Sequence, residues 1–569
     1  MAGNQVHFEV FVRRYPDSPW TLKMAADDRE SALEVAMEMV DQREAAAARV
    51  MRETLDANTG EFHSLTILTV GAPERARKIK APEPSEPLCV APQDLYSCHA
   101  RDKIGRLLET WLARRETTPF ELLHRPDLVE QLEASRVEIQ HAIQKIALPE
   151  AHARNCSVAA MTKSFESLAE RAVERLLRDA RKGLLPQITP QTFARIAAQL
   201  ATVPEGAYRL GCGVAMFLAP AQSWSEKVGL LIDLADTAPT EGPGRVLALA
   251  VIAEPLEEIV GSEKGLDNIV GGHLDLGGRL AAMSRLAAAD VIDALVKAEP
   301  SVAKVMPELS ERAQGLAKWL GVGGFLGVRA AIGQRILREL SGQRRLRPSD
   351  AAGEIDVIRG LAMALTAASG KLLPLDNVQA AFSSRSRRLV TRDFVETYLG
   401  EGASSLEEAE ALIWLTENII GGGNKREAGR WLHAQIFSLR FERESRGSHH
   451  PRTRLAELAR LQRAVARCGL VEETYRPIQV KLGEVGGLVE ADARLVSKTV
   501  KSTAPALNRL TLLLRLASGE VAPLGPAADR ARVEALKLAR QDNTRAELTV
   551  APDRLDAIRD LLRHAALAA

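Results

Sequence analysis

Cysteine is scarce in this chain: five residues in 569, at positions 89, 98, 156, 212 and 468, with no Cys-x-x-Cys pair among them. An odd, dispersed set supports neither a secreted disulfide framework nor a zinc knuckle, so reduced thiols are the expectation. Long apolar runs are also missing. The longest, Val246–Ala253, holds eight residues, against the roughly 20 that a membrane-spanning helix requires. No basic region followed by an apolar one marks the amino terminus, so the sequence predicts neither a signal peptide nor a membrane partner, and places the chain in the cytoplasm. Charge of one sign is lacking too. The 75 basic and 74 acidic side chains nearly cancel, which leaves no global field to steer the protein toward nucleic acid. Any such binding has to come from a local patch.

Catalytic signatures are equally absent. There is no His-Glu-x-x-His zinc helix, no Gly-x-Ser-x-Gly elbow, no phosphate loop ending in Gly-Lys-Ser/Thr and no kinase set. Gly370-Lys371 is followed by Leu372, which lacks the hydroxyl that would hold magnesium. Gly321-Val-Gly-Gly-Phe-Leu-Gly327 misses the dinucleotide register, and no strand precedes it. His152 and Cys156 can share one helix face, yet two ligands do not make a site. His449-His450 sits in a polar loop without a ligand partner at suitable spacing. The sequence therefore assigns no catalytic residue, no metal site and no cofactor.

What is present is a change of pattern near residue 72. Before it, Val6, Phe8, Val10 and Val12 alternate with polar residues, as in a half-buried strand, and Trp20, Leu22 and Met24 repeat the alternation. Asp27 and Glu30 can form a capping box ahead of a helix carrying Leu33, Ala36, Met37 and Val40 on one face. Val50–Leu55, the turn at 57–60, and Phe62–Val70 predict a hairpin. The result is a ββαββ domain over residues 1–71, an antiparallel sheet covered by one helix. A tether over 72–92 holds five prolines, at 73, 82, 84, 87 and 92.

Beyond the tether the apolar spacing is helical throughout. The fold class is mainly α: a small ββαββ domain joined to a large all-helical body, built as several bundles or as an irregular α-solenoid. Roughly sixteen to twenty helices of ordinary length are expected. Among them are Asp127–Ile146, Ser164–Lys182 closed by Gly183, and a helix started by a capping box at Ser404/Glu407 or Ser405/Glu408. Pro190, Pro243 and Pro451 mark helix starts. The motif Ala-Ser-Gly-x-x-x-Pro-Leu occurs at 368–375 and again at 517–524, a glycine closing one helix and a proline opening the next. No constant period emerges. The basic loop 341–350 divides the body into helical domains at 93–345 and 346–569.

One constellation stands out. An apolar helix stops at Gly421-Gly422-Gly423, and Asn424 is placed to cap the next. Lys425 and Arg426 then occupy its first turn, where basic residues oppose the helix dipole unless negative charge lies close. Free N–H groups and two cations there would suit a phosphate. From 424 to 467 eleven Lys and Arg face four Glu, and Arg385, Arg387, Arg388 and Arg392 lie just upstream, with Arg430 inside the stretch. A solvated basic face is the plainer account. The functional expectation is a non-enzymatic adaptor or scaffold presenting helical surfaces to a protein partner. Nucleic-acid or phosphate binding through 385–467 is the alternative. The sequence leaves the oligomeric state open.

Overall fold

The computed structural model describes residues 6–15, 18, 20–42, 44–55, 62–72 and 87–567. They fall in two compact units, Met1–Leu88 and Cys89–Ala569.

The first unit is the expected ββαββ domain. Strands β1 (Val6–Arg13), β2 (Thr21–Ala26), β3 (Ala47–Leu55) and β4 (Phe62–Gly71) form one antiparallel sheet in the order β2-β1-β3-β4, and helix α1 (Arg29–Asp41) covers it. Period two places Val10 and Val50 against Ala32 and Ala36 of α1, with Phe8, Val12 and Met24 around them. The cap of α1 is Asp28, one residue later than the sequence suggested. Its carboxylate accepts the N–H groups of Glu30 and Ser31. The hairpin turn and most of the proline-rich tether lie outside the described residues. Arg13 is buried although it ends a strand. It donates to the Ala72 carbonyl at 2.7 Å and lies over the ring of Trp20.

The second unit is all helical. Among the described residues the chain carries 30 α-helices, of which 29 belong to this unit. It opens with α2 (Cys98–Leu107), α3 (Glu109–Arg115), α4 (Pro119–His124), α5 (Pro126–Ser135), α6 (Val137–Ala153) and α7 (Val158–Arg181). Then come α8 (Pro190–Leu200), α9 (Gly206–Leu218), α10 (Trp224–Asp236) and α11 (Gly242–Gly261). The helices outnumber the expectation because several break at non-glycine residues of positive φ. Asp127–Ile146 is two helices, α5 and α6, parted at Arg136 with φ +42°. Glu116, Asn155, Glu205, Phe325 and Arg494 make similar breaks, which turn-residue signals do not reveal. Glycine punctuation is as the sequence indicates: Gly183, Gly370 and Gly519 all have positive φ at helix ends.

From residue 351 eight of the thirteen described helices form four pairs: Ala351–Ala367 with Leu375–Leu389, Ser405–Asn418 with Gly422–Ile436, Pro451–Arg467 with Glu472–Ala493, and Ala506–Ala517 with Pro526–Ala539. The second helix of each pair packs on the second helix of the next. The two Ala-Ser-Gly motifs sit in the turns of the first and last of these pairs. One contiguous apolar core runs from Phe120 to Ala565, through the loop at 341–350. Arg385 crosses that loop as well, donating to the carbonyls of Glu339, Leu340 and Arg344.

Buried ion pairs tie the first helices of this unit together. Arg101 of α2 meets Glu258 of α11 at 2.7 Å and Glu254 at 3.0 Å. The other Glu258 oxygen accepts the N–H of Phe120 at the start of α4. Burial pushes the Glu258 carboxyl up to about 7, with Arg101 acting the other way. Lys227 of α10 donates to both oxygens of the fully buried Glu121. His124, enclosed between Tyr96, Phe120 and Tyr208, is held down to about 4 by burial.

Candidate functional site

The glycine run starts the helix Gly422–Ile436. Gly421, with φ +98°, is its cap, and a β-carbon there would collide with the Ser383 hydroxyl. Gly422 and Gly423 already belong to the exposed first turn. Asn424 therefore is not the cap that the sequence suggested. The glycine turn begins the helix three residues earlier, and the Asn424 amide donates to the carbonyls of Ser383 and Ile420, each at 2.8 Å.

Lys425 answers the dipole question raised by its position. Its ammonium donates to the carbonyls of Thr416 and Cys468 at 3.0 Å, with Glu417 at 3.4 Å. These carbonyls close the helices Ser405–Asn418 and Pro451–Arg467. The negative charge beside this cation is thus the partial charge of two other helix ends. Gly469, with φ +79°, leaves room for the ammonium. Burial holds the Lys425 pKa below the ordinary lysine range.

The upstream arginines do not gather around it. Arg385 is buried on backbone carbonyls, and Arg388 donates to those of Ser341 and Gly342. Arg392 pairs with Glu396 and Arg430 with Glu427, both at 2.7 Å on the surface. Arg387 is exposed.

Arg426 alone of the glycine-lysine cluster faces a recess. It is exposed, makes no hydrogen bond or ion pair among the described residues, and lines a cleft of about 1040 Å³ against the helix Glu472–Ala493. The apolar part of the cleft is Pro477 together with Phe437, Val471 and Val480, the last three being 42 %, 58 % and 55 % exposed. Around them stand three cations, Arg426, Arg476 and Lys481, and three anions, Glu472, Glu473 and Glu484. Within this rim Arg476 pairs with Glu472, while Lys481 reaches Glu442. The rim is charged but balanced.

Phe437, Val471 and Val480 were not singled out from sequence. Val480 carried a usable signal. The buried stripe of its helix is Ile478, Leu482, Val485 and Val489, so Val480 is an apolar residue on the wrong face.

Among the described residues no cluster of three His, Cys, Asp or Glu has metal-binding geometry, and no helix is long and apolar enough to cross a membrane. No protein-family model, curated protein or solved structure matches this chain.

Proposed function

We propose that the protein is a non-enzymatic helical scaffold, and that its cleft between Gly422–Ile436 and Glu472–Ala493 takes an amphipathic helix from a protein partner. The observation that carries this reading is the solvent-exposed trio Phe437, Val471 and Val480 in one recess between two helices. Apolar side chains grouped in a groove and rimmed by charge suit the apolar face of a docking helix. The balanced rim favours a partner segment bearing both signs over a polyanion, since three cations and three anions cancel at any distance beyond the Debye length. Pair-on-pair stacking from residue 351 supports an α-solenoid, an architecture whose grooves recur along one surface.

The phosphate alternative has less behind it. Lys425 is engaged by carbonyls, Arg385 and Arg388 donate to carbonyls between Glu339 and Arg344, and Arg392 and Arg430 have carboxylate neighbours.

A photo-cross-linking residue at position 480, in cells producing the full chain, tests the proposal. The expected result is one adduct, mapped by mass spectrometry to an amphipathic helical segment and lost in Phe437→Asp/Val471→Asp, whose melting is unchanged. Capture no greater than from exposed position 387 refutes the docking cleft. A salt-sensitive adduct with nucleic acid favours the alternative.

A further inference from the structure

A second recess, remote in sequence from the cleft, has the opposite character. It lies among the short helical turn at Pro92–Tyr96 and helices α2, α4, α5, α6 and α7, and holds about 190 Å³, with one side open to solvent. Its wall is alkyl and aromatic almost throughout, with Leu122, Ile143, Phe165 and Leu168 representative of it. Four alanines, Ala100 of α2, Ala142 of α6 and Ala169 and Ala172 of α7, stand where longer side chains would fill the space. We propose that this cavity binds a small, neutral, apolar molecule about the size of one substituted ring.

Size sets the class. A dry cavity of roughly 150 Å³ lined by aliphatic and aromatic groups accommodates benzene, so this one admits a ring with a small substituent. Charge sets it further. The one cation on the wall, Lys103, lies 3.0 Å from the Glu150 carboxylate, and an anionic ligand would have to compete with that bond. Burial raises the Cys89 thiol and the Tyr96 phenol above their usual ranges, so both stay neutral. This inference does not depend on the scaffold reading, because the two sites share no residue.

The test titrates toluene, and separately hexanoate, into the full-length protein and its Ala172→Leu and Ala142→Leu variants, reading heat and melting temperature. Toluene is expected to bind saturably and raise the melting temperature, with affinity at least about tenfold weaker in either filled variant. Hexanoate is expected to bind at least about tenfold more weakly than toluene. Nuclear Overhauser contacts from toluene to the labelled methyls of Ala142 and Ala172 in the unaltered protein settle location even if neither variant folds. Absence of saturable toluene binding, equal binding by both folded variants, missing contacts to those methyls, or hexanoate binding as tightly as toluene would each overturn the proposal.

Discussion

The ammonium of Lys425 and the carbonyl oxygen of Cys468 lie 3.0 Å apart, joining the first turn of one helix to the C-terminal cap of another, 43 positions on. Thr416 completes the junction, so one cation closes two helices. Replacing Lys425 by Met keeps most of the stem and removes the charge. It leaves two carbonyls without their donor, and is expected to cost about 1.5–3 kcal/mol, measured by denaturant unfolding. Arg426→Glu, on the exposed side of the same turn, is expected to change stability by less than about 0.5 kcal/mol. Equal effects of the two changes would refute the capping role.

Gly423 and Gly483 are expected to respond to alanine with opposite signs. A β-carbon on Gly423 would meet nothing within 4 Å, whereas one on Gly483 would lie 2.3 Å from the carbonyl oxygen of Leu524. Both sit inside helices. Gly423→Ala should stabilise by about 0.5–1 kcal/mol through helix propensity. Gly483→Ala should destabilise by about 1–3 kcal/mol, because backbone rather than a flexible side chain must move. Thermal melts of the two variants check the sign.

Arg385 ties the loop after residue 340 to the helix end before it, donating to the carbonyls of Glu339 and Leu340 and to that of Arg344. Its side chain is almost fully buried. Arg385→Ala is expected to cost about 3 kcal/mol or more. Lysine, a point charge without the planar fork, should restore only part of it. Hydrogen exchange at Gly342–Leu346 should quicken in both variants, and an unaltered rate would contradict the assignment.

Stability near Glu258 should carry a pH dependence of definite sign. Its carboxyl titrates at about 7 when folded, against an ordinary 4.5. Between those values the folded state binds more protons than the unfolded one, so this group's contribution falls as pH rises through the window, by at most about 1.4 kcal/mol per unit. His124 acts oppositely. Its folded pKa of about 4 lies below the ordinary 6.5, so its contribution falls as pH drops from about 6.5 to about 4. The two oppose each other between pH 4.5 and 6.5. Glu258→Gln removes the first, and its stability should climb with pH there more steeply than the parent's. Parallel curves across that interval would refute the shift.

The chain's grammar was legible where local chemistry governs. Alternation at Val6–Val12, the glycines at 183, 370 and 519, the prolines at 190 and 451, and the Ser404/Glu407 box all occupy the places their physics suggests. Non-glycine residues forced to positive φ, such as Arg136 and Arg494, escaped because tertiary packing imposes them. At the candidate site, the energetic oddity of Lys425 in a first turn was visible, and its resolution was not. The compensating carbonyl of Cys468 is distant in sequence. Phe437 and Val471 flank helices instead of lying within them, and there the period of an apolar stripe does not separate buried positions from exposed ones.

Packing of the paired helices beyond residue 405 chiefly on their sequence neighbours has a consequence for how damage spreads. A lesion at Gly483 loosens the joints on either side of Glu472–Ala493, while the Arg101–Glu258 knot near the other terminus keeps its partners. Heat should therefore dismantle this body in segments, with successive calorimetric shoulders instead of one sharp peak.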